Sequence, residues 1–163
     1  MKSKMMPAGE ITKKLKTRRR INKNGLVSMV IEAARKTEAQ VAVEGVPAVI
    51  VGGVVTQSGL VRDERKRATW LANHSGVAYS TIQKRFKEQS DFLPTEADRI
   101  MTSFRITDLA TRLFNGDRNE AMRWMDRPHR LLSGDTPTER AQTSAGAAQV
   151  EKLIHRMEYG NAA

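Results

Sequence analysis

Residues 69–89 read TWLANHSGVAYSTIQKRFKEQ and have the residue spacing of a helix-turn-helix. Ala72 is small where two helices would cross closely, and Gly76, four residues later, permits the tight turn between them. Val77 and Ile82 are apolar and would fill the small core beneath the second helix. This spacing predicts two short helices joined by a turn, within a chain that is mainly α-helical.

The second helix of this motif would expose side chains suited to DNA. Hydroxyl and amide groups can hydrogen-bond to base edges, and lysines can meet backbone phosphates. The candidate DNA-binding residues are Tyr79, Ser80, Thr81, Gln83, Lys84 and Lys87. Because a single motif of this kind makes few contacts, useful affinity implies a homodimer that binds two half-sites of double-stranded DNA.

Two positions in the motif depart from its usual pattern. Ala78 occupies the slot in which a capping Ser or Thr is usual, so the cap is expected to fall to Ser80. Phe86 lies one residue beyond the usual apolar position, although it stays on the same stripe as Ile82. An ordinary two-helix hairpin with a polar solvent face is the alternative interpretation.

The net charge of +10 is concentrated in the N-terminal half of the chain. Residues 1–24 carry nine Lys or Arg side chains against Glu10 alone, a net +8, and residues 62–90 carry a net +4. Residues 91–163 carry a net −1. The positive regions are where nucleic-acid phosphates would be met, although a charge run is also typical of a solvated tail.

Length and composition limit the classes of protein to consider. The 163 residues, 39% of them hydrophobic, suit one domain or two small ones that share a core. The absence of cysteine from the sequence excludes disulfides and thiolate metal sites. No apolar run reaches the roughly 18 residues that span a bilayer, and no apolar signal core follows the basic N-terminus. We therefore expect a cytoplasmic protein without membrane association.

The segment before the helix-turn-helix mixes two patterns. Apolar residues at helical spacing between residues 27 and 34 indicate a short amphipathic helix. Two valine-rich runs then flank Gly52 and Gly53, a combination that favours the tight turn of a short β-hairpin near residues 46–57. A glycine-rich phosphate loop is the functional alternative, but no lysine or helix start lies at the required spacing.

The region after residue 90 predicts a small helical bundle. Thr136 opens a capping box with a first-turn proline, which is a strong helix start. Thr143 and Gly146 indicate a cap and a close helix approach at the start of the last helix. Phe114 and Trp124 are most simply explained as core aromatics that hold adjacent helices together.

Several spaced motifs in this region occur in one order over about seventy residues. They are ADRIM (97–101), ATRLFNGDRNEAMRWM (110–125), RPHRLLSGDTP (127–137) and TSAGAAQVEKLIHRMEYG (143–160). In this arrangement the chain resembles the MbcA/ParS/Xre antitoxin family, whose members pair with RES-domain toxins. The helix-turn-helix also lies where the family has one.

This resemblance implies the antitoxin of a type II toxin–antitoxin system that also represses its own operon. Members of the family neutralise a RES-domain, NAD-depleting toxin with the C-terminal domain, whose chain end reaches the toxin's NAD-binding pocket. The toxin-binding residues implied for this chain are Met157, Glu158, Tyr159, Gly160, Asn161, Ala162 and Ala163. The terminal carboxylate of Ala163 could meet cations that normally hold a cofactor phosphate.

The sequence carries no catalytic set. His74, His129 and His155 lie on different elements and not at metal-ligand spacing, and His74 is interpreted as a surface or turn histidine. The carboxylates cluster at helix starts, where they cap backbone amides. We therefore expect a protein that is not an enzyme, with no catalytic residue, no cofactor and no metal site.

Three regions are expected: a basic, flexible arm (1–24), a DNA-binding region (25–90) with its helix-turn-helix at about 66–89, and a helical toxin-binding antitoxin domain (91–163). One alternative is a stand-alone helix-turn-helix transcriptional regulator whose C-terminal bundle only dimerises. Another is a nonspecific nucleic-acid-binding protein that uses the arm. The role of residues 1–60 stays open among a packing extension, an oligomerisation edge and an additional toxin contact.

Overall fold

The computed structural model describes residues 25–160, and these residues form nine α-helices, two 3₁₀ turns and one two-stranded sheet. The helices are α1 (Leu26–Ala34), α2 (Glu38–Glu44), α3 (Ala48–Gln57), α4 (Arg67–Ser75), α5 (Tyr79–Glu88), α6 (Pro94–Leu113), α7 (Arg118–Met125), α8 (Pro137–Arg140) and α9 (Ser144–Glu158). The 3₁₀ turns are Glu64–Lys66 and Arg130–Leu132, and the strands are β1 (Val46–Pro47) and β2 (Asp91–Phe92). The mainly α-helical fold class is confirmed. The predicted arm at 1–24 lies outside the described residues.

Two hydrophobic clusters form the core, and α6 contributes to both. The first cluster joins α1 to α5 with the N-terminal half of α6, where Phe104 is fully buried. The second joins the C-terminal half of α6 to α7, the Arg130–Leu132 turn, Ala141 after α8, and α9, and Ile106 is fully buried there. Consecutive turns of α6 therefore pack in different clusters. This helix connects the N-terminal helices to the C-terminal helices.

The β-hairpin predicted near residues 46–57 is wrong. Only Val46–Pro47 is extended, and this strand pairs antiparallel with β2, with Val46 opposite Phe92. The rest of the segment is α3, whose valines and isoleucine are buried on most sides of the helix. Burial on most sides of α3 thus outweighs the preference of β-branched residues for strands.

Gly52 lies inside α3 and not in a turn, because two side chains approach the helix there. A Cβ atom at Gly52 would lie 3.2 Å from Cε1 of Phe86 on α5 and 3.4 Å from Cδ of Arg67 on α4. The glycine therefore lets α3 pack closely against both helices of the predicted helix-turn-helix.

Asp108 on α6 caps the start of α1. Its carboxylate accepts hydrogen bonds from the backbone N–H groups of Leu26 and Val27, which are unpaired within the helix itself. A Cβ atom at Gly25 would overlap this carboxylate, so the glycine is required for the approach. Burial raises the pKa of Asp108 to about 6, and the two amides and Arg118 only partly oppose this rise.

We predict that Asp108→Asn changes how stability depends on pH. The carboxyl pKa is higher in the folded chain than the ordinary value of 3.8, so the folded state binds the extra proton between about pH 4 and 6. The contribution of this group to the free energy of unfolding is therefore greatest below pH 4 and falls as the pH rises to 6. Relative to Asp108→Asn, the wild type should lose roughly 1–3 kcal/mol of stability across this window.

Urea unfolding of both proteins at several pH values measures this difference. Asp98→Asn is the matched control, because Asp98 is an exposed carboxylate on the same helix. Parallel pH curves for the wild type and Asp108→Asn would contradict the assignment of Asp108 as a buried cap.

Candidate functional site

The predicted helix-turn-helix is formed by α4, a three-residue turn and α5. Gly76 has a φ of +67° and ends α4, and its N–H donates to the carbonyl of Ala72 at 3.1 Å. Val77 and Ile82 are buried beneath α5, as expected from their spacing. The glycine is needed here, since a residue with a side chain adopts this left-handed conformation only at a cost.

The solvent face of α5 contains most of the candidate DNA-binding residues. Of the six, Thr81 is half-buried and the others are exposed: Tyr79, Ser80, Gln83, Lys84 and Lys87. The Gln83 amide Nε2 donates to the Tyr79 hydroxyl, and both residues share a stripe at helical spacing with Lys87. The helix thus presents a hydroxyl, an amide and an ammonium group in a row.

The cap expected from Ser80 is wrong. Ala78 is the N-cap residue of α5, and it makes no side-chain capping hydrogen bond. Ser80 is the second helical residue, and its side chain is exposed.

His74 is buried, so its interpretation as a surface or turn histidine is wrong. Its ring stacks on Trp70 with centroids 4.1 Å apart, and its Nδ1 lies 2.8 Å from the Trp70 carbonyl oxygen. Burial lowers the pKa of His74, although the hydrogen bond to Trp70 and the charge of Asp126 act in the other direction. His74 is therefore a core aromatic residue at the end of α4. Its i, i+4 spacing from Trp70 was the feature of the sequence that could have indicated this contact.

Two hydrogen bonds join the end of α4 and the turn that follows it to the C-terminal part of the chain. The Gln142 side chain, between α8 and α9, donates through Nε2 to the Asn73 carbonyl at 2.8 Å. Arg99 on α6 donates to the Gly76 carbonyl at 3.0 Å. The sequence did not predict a role for Gln142 or Arg99, because each binds a backbone carbonyl that is distant along the chain.

The helices α8 and α9 begin at the capping residues that the sequence predicts. Thr136 and Glu139 form a reciprocal capping box at the start of α8. Thr143 Oγ1 accepts from the Gly146 N–H at 3.1 Å, and a Cβ atom at Gly146 would overlap the carbonyl of Arg140. The two helices therefore meet at the closest distance that their backbones allow.

The described candidate toxin-binding residues at the end of α9 are either exposed to solvent or paired with α6. Met157 is 41% exposed and Tyr159 is 77% exposed, and Gly160 is also exposed. Glu158 instead points to α6, where its Oε1 lies 3.3 Å from Nε of Arg112. Residues 161–163 (Asn161, Ala162 and Ala163) lie outside the described residues.

Two aromatic contacts occur among the C-terminal helices. The Tyr159 ring stacks on His155, one turn earlier, with centroids 6.2 Å apart and an interplanar angle of 19°. Phe114 and Trp124 contact each other at 6.2 Å and are half-buried on the second cluster, as expected for aromatics between adjacent helices.

Leu131 is an exposed apolar residue that sequence reasoning did not select as a site. It is 56% exposed, whereas its neighbour Leu132 is buried in the second cluster. The sequence does not indicate which of the two leucines is exposed. The conformation of the 3₁₀ turn directs Leu131 to solvent and Leu132 to the core.

Two classes of site receive no support from the described residues. Between residues 25 and 160, no group of three or more His, Asp or Glu side chains is arranged to hold a metal ion. In the same range, no helix is long and apolar enough to cross a membrane.

Known proteins with similar sequences supply the family. Residues 109–160 match the antitoxin Xre/MbcA/ParS C-terminal toxin-binding domain. An Xre antitoxin of Photorhabdus laumondii subsp. laumondii is 33% identical over 117 residues, which cover 72% of this chain and 75% of that protein. This chain belongs to the Xre/MbcA/ParS antitoxin family.

Two further matches cover less of the antitoxin. An Xre antitoxin of Yersinia enterocolitica is 34% identical over 86 residues, 53% of this chain and 58% of that protein. A 50-residue stretch is 42% identical to a 6-hydroxy-3-succinoylpyridine 3-monooxygenase of Pseudomonas putida, but it covers only 16% of the enzyme. The last match is too short a part of the enzyme to bear on activity.

The matched domain covers the C-terminal helices of the fold. Residues 109–160 comprise the last turn of α6 and all of α7, α8 and α9. The protein is therefore the antitoxin of a toxin–antitoxin pair, and a toxin is its partner.

We predict that Gly146→Ala destabilises the antitoxin, although Gly→Ala within a helix is ordinarily stabilising. The added Cβ overlaps the Arg140 carbonyl, which belongs to the backbone and cannot rotate away. The free energy of unfolding should fall by about 1–3 kcal/mol. Ala148→Ser on the exposed side of α9 also adds one heavy atom and should change it by less than about 0.5 kcal/mol.

Chemical denaturation of the three proteins measures these values. A Gly146→Ala variant at least as stable as the wild type would contradict the close approach of α8 and α9.

Proposed function

We propose that this antitoxin neutralises a RES-domain, NAD-depleting toxin by occluding its active site with the end of α9, and that it represses its own operon by binding promoter DNA through α5. In this proposal it is a non-enzymatic, cytoplasmic protein that acts as a homodimer. The observation that carries the toxin contact is the exposure of Met157 and Tyr159 at the end of the toxin-binding domain.

An exposed Tyr at a helix end is suited to protein recognition. Tyrosine supplies a large contact area with few rotatable bonds and is enriched among residues that dominate binding energy. The stacking on His155 and the Glu158–Arg112 ion pair restrict the direction in which Tyr159 leaves the helix. Such restriction reduces the entropy that is lost when the chain end enters a pocket.

The residues after Gly160 are suited to a narrow pocket, because Asn161, Ala162 and Ala163 have small side chains. We propose that this segment occupies the NAD-binding pocket of the toxin.

The proposed DNA contact rests on the outward face of α5. Its hydroxyl, amide and ammonium groups are exposed, whereas Ile82 and Phe86 face the protein. In helix-turn-helix proteins the second helix lies in the major groove with its N-terminal residues on base edges. Tyr79, Ser80 and Gln83 occupy the corresponding positions on α5.

The stand-alone transcriptional regulator remains the alternative function. In that case the bundle of α6 to α9 would only dimerise, and the chain end would have no ligand. The match of residues 109–160 to a toxin-binding domain favours the antitoxin over this alternative.

We predict that two exposed tyrosines separate the activities. Tyr159→Ala should weaken toxin binding about 10- to 30-fold, because it removes an anchor from the centre of the proposed interface. Tyr79→Ala should leave toxin binding unchanged and reduce the preference for operator DNA. Deletion of residues 159–163 should abolish neutralisation while it keeps Glu158 on Arg112.

Each variant is co-expressed with the cognate toxin, and complex formation, cellular NAD and cell growth are measured. The tyrosines serve as matched controls for each other, since both are exposed and both lie at helix ends. If the deletion preserves NAD as well as the full chain does, the occlusion mechanism is incorrect.

We also predict that Gln83→Ala combined with Lys84→Ala removes operator preference. A specific base contact is worth about 1–3 kcal/mol, so the affinity for operator should approach that for random DNA. Electrophoretic mobility shifts with promoter and random duplexes measure the ratio. If the double variant keeps the wild-type ratio, sequence recognition does not reside on α5, and a nonspecific mode through the arm is favoured.

A further inference from the structure

A cationic groove lies beside α5, and most of its lining residues have no role in the functions proposed above. It has a volume of about 350 Å³ and is bounded by the Glu64–Lys66 turn, the first turn of α4 and one side of α5. Three cationic side chains line it: Arg65, Arg67 and Lys87. Glu64 is the only acidic residue among its lining residues, so the groove carries a net charge of about +2.

Arg67 is held in place before any ligand binds. Its guanidinium carbon lies 4.6 Å from the centre of the Phe86 ring, and its Nη1 donates to Glu64 Oε1 at 3.0 Å. Phe86 is itself held edge-on against Phe92, with ring centroids 6.1 Å apart. The absence of a side chain at Gly52 leaves the space in which Phe86 and Arg67 pack on α3.

The other two cations are free to meet a ligand. Arg65 and Lys87 are both exposed, and neither forms an ion pair with another side chain in the described range 25–160. The backbone of Arg65 is fixed, because its N–H donates to Asp63 Oδ1 at 2.9 Å. The groove thus combines a positioned guanidinium with two uncompensated positive charges.

The position of the groove relative to α5 indicates its ligand. Gln83 and Lys87 line the groove and also belong to the exposed stripe of α5 that begins at Tyr79. If α5 enters the major groove of DNA, the adjacent sugar–phosphate backbone passes along this side of the helix. A bidentate guanidinium and flanking cations are the groups that bind phosphate oxygens best.

We propose that this groove binds a phosphodiester of the DNA backbone. Arg67 is the directed phosphate ligand, Arg65 and Lys87 complete the site, and Glu64 limits affinity because it competes with phosphate for Arg67. The inference rests on the proposed DNA binding by α5 and assigns a sequence-independent contact that would set the orientation of that helix. Arg65, Arg67 and Glu64 are outside the set predicted from the sequence.

The test is the salt dependence of binding to a short random-sequence duplex and to the promoter fragment, with the full chain. Each lost phosphate contact should reduce the slope of log K against log salt by about 0.9, which is about an eightfold loss of affinity at 0.1 M salt. Arg65→Ala, the cation variant, removes a groove cation that does not belong to α5. It should therefore reduce the slope by about 0.9 on both duplexes, and the preference between them should change little.

Glu64→Gln tests the competing carboxylate. It should raise affinity for both duplexes by up to about fivefold, because Arg67 then loses its protein partner and turns to phosphate. The matched controls are Lys152→Ala on α9 and Glu38→Gln on α2, two exposed residues outside the groove. Thermal unfolding monitored by circular dichroism establishes that each variant is folded at the assay temperature.

The outcomes distinguish the groove from the function of α5. Reduced slopes in the cation variant together with tighter binding of Glu64→Gln support the groove, even if the wild type shows no preference for the promoter. Promoter preference with slopes equal to those of the control variants overturns the groove and leaves α5 as the reader of DNA. A wild type that binds neither duplex at low salt overturns both.

Discussion

The structure depends on α6, which serves both hydrophobic clusters as one continuous helix. Its side chains pack against α1, α2 and α4 on one half and against α7 and α9 on the other. Its first turn is fixed by Glu96, which accepts from the Leu93 N–H and forms a bidentate pair with Arg85 of α5. A helix buried in two cores cannot bend or rotate without disturbing both, so α5 and α9 are held in a fixed relation.

This arrangement gives the antitoxin two surfaces with different chemistry on one frame. The surface that we propose for DNA is cationic, since Lys84, Lys87 and the cations of the groove lie around α5. The surface that we propose for the toxin is apolar and aromatic, with Met157 and Tyr159 at the end of α9. Contacts of Gln142 and Arg99 with the turn of the helix-turn-helix connect the two surfaces. Any energetic coupling between toxin and DNA through them must be reciprocal.

The sequence predicted those elements whose cause is local. The turn at Gly76, the caps at Thr136 and Thr143 and the exposed face of α5 follow from neighbouring residues. The valine-rich segment 46–57 was assigned wrongly because its conformation depends on burial among distant helices. The interpretation of His74 failed for the same reason, since its environment is made by residues that the turn itself does not reveal.

Parts of the candidate sites also depend on long-range contacts. Glu158 belongs to the predicted toxin-binding set by position, but its partner Arg112 lies on α6. Arg67 becomes a candidate ligand only because α3 carries Gly52 opposite Phe86. The family resemblance, on the other hand, was recognisable from spaced motifs, because those motifs are contiguous in the chain.

The central claim is that toxin and DNA use separate surfaces, and amide hydrogen exchange of the full-length antitoxin tests it most directly. The last turn of α9 and the first turn of α5 both lie at helix ends, where local opening makes exchange fast. The account predicts that the toxin slows exchange at the end of α9 without protecting α5, and that promoter DNA protects α5 without protecting α9. Protection of α5 by the toxin, or unchanged exchange at the end of α9 in the toxin complex, would contradict it.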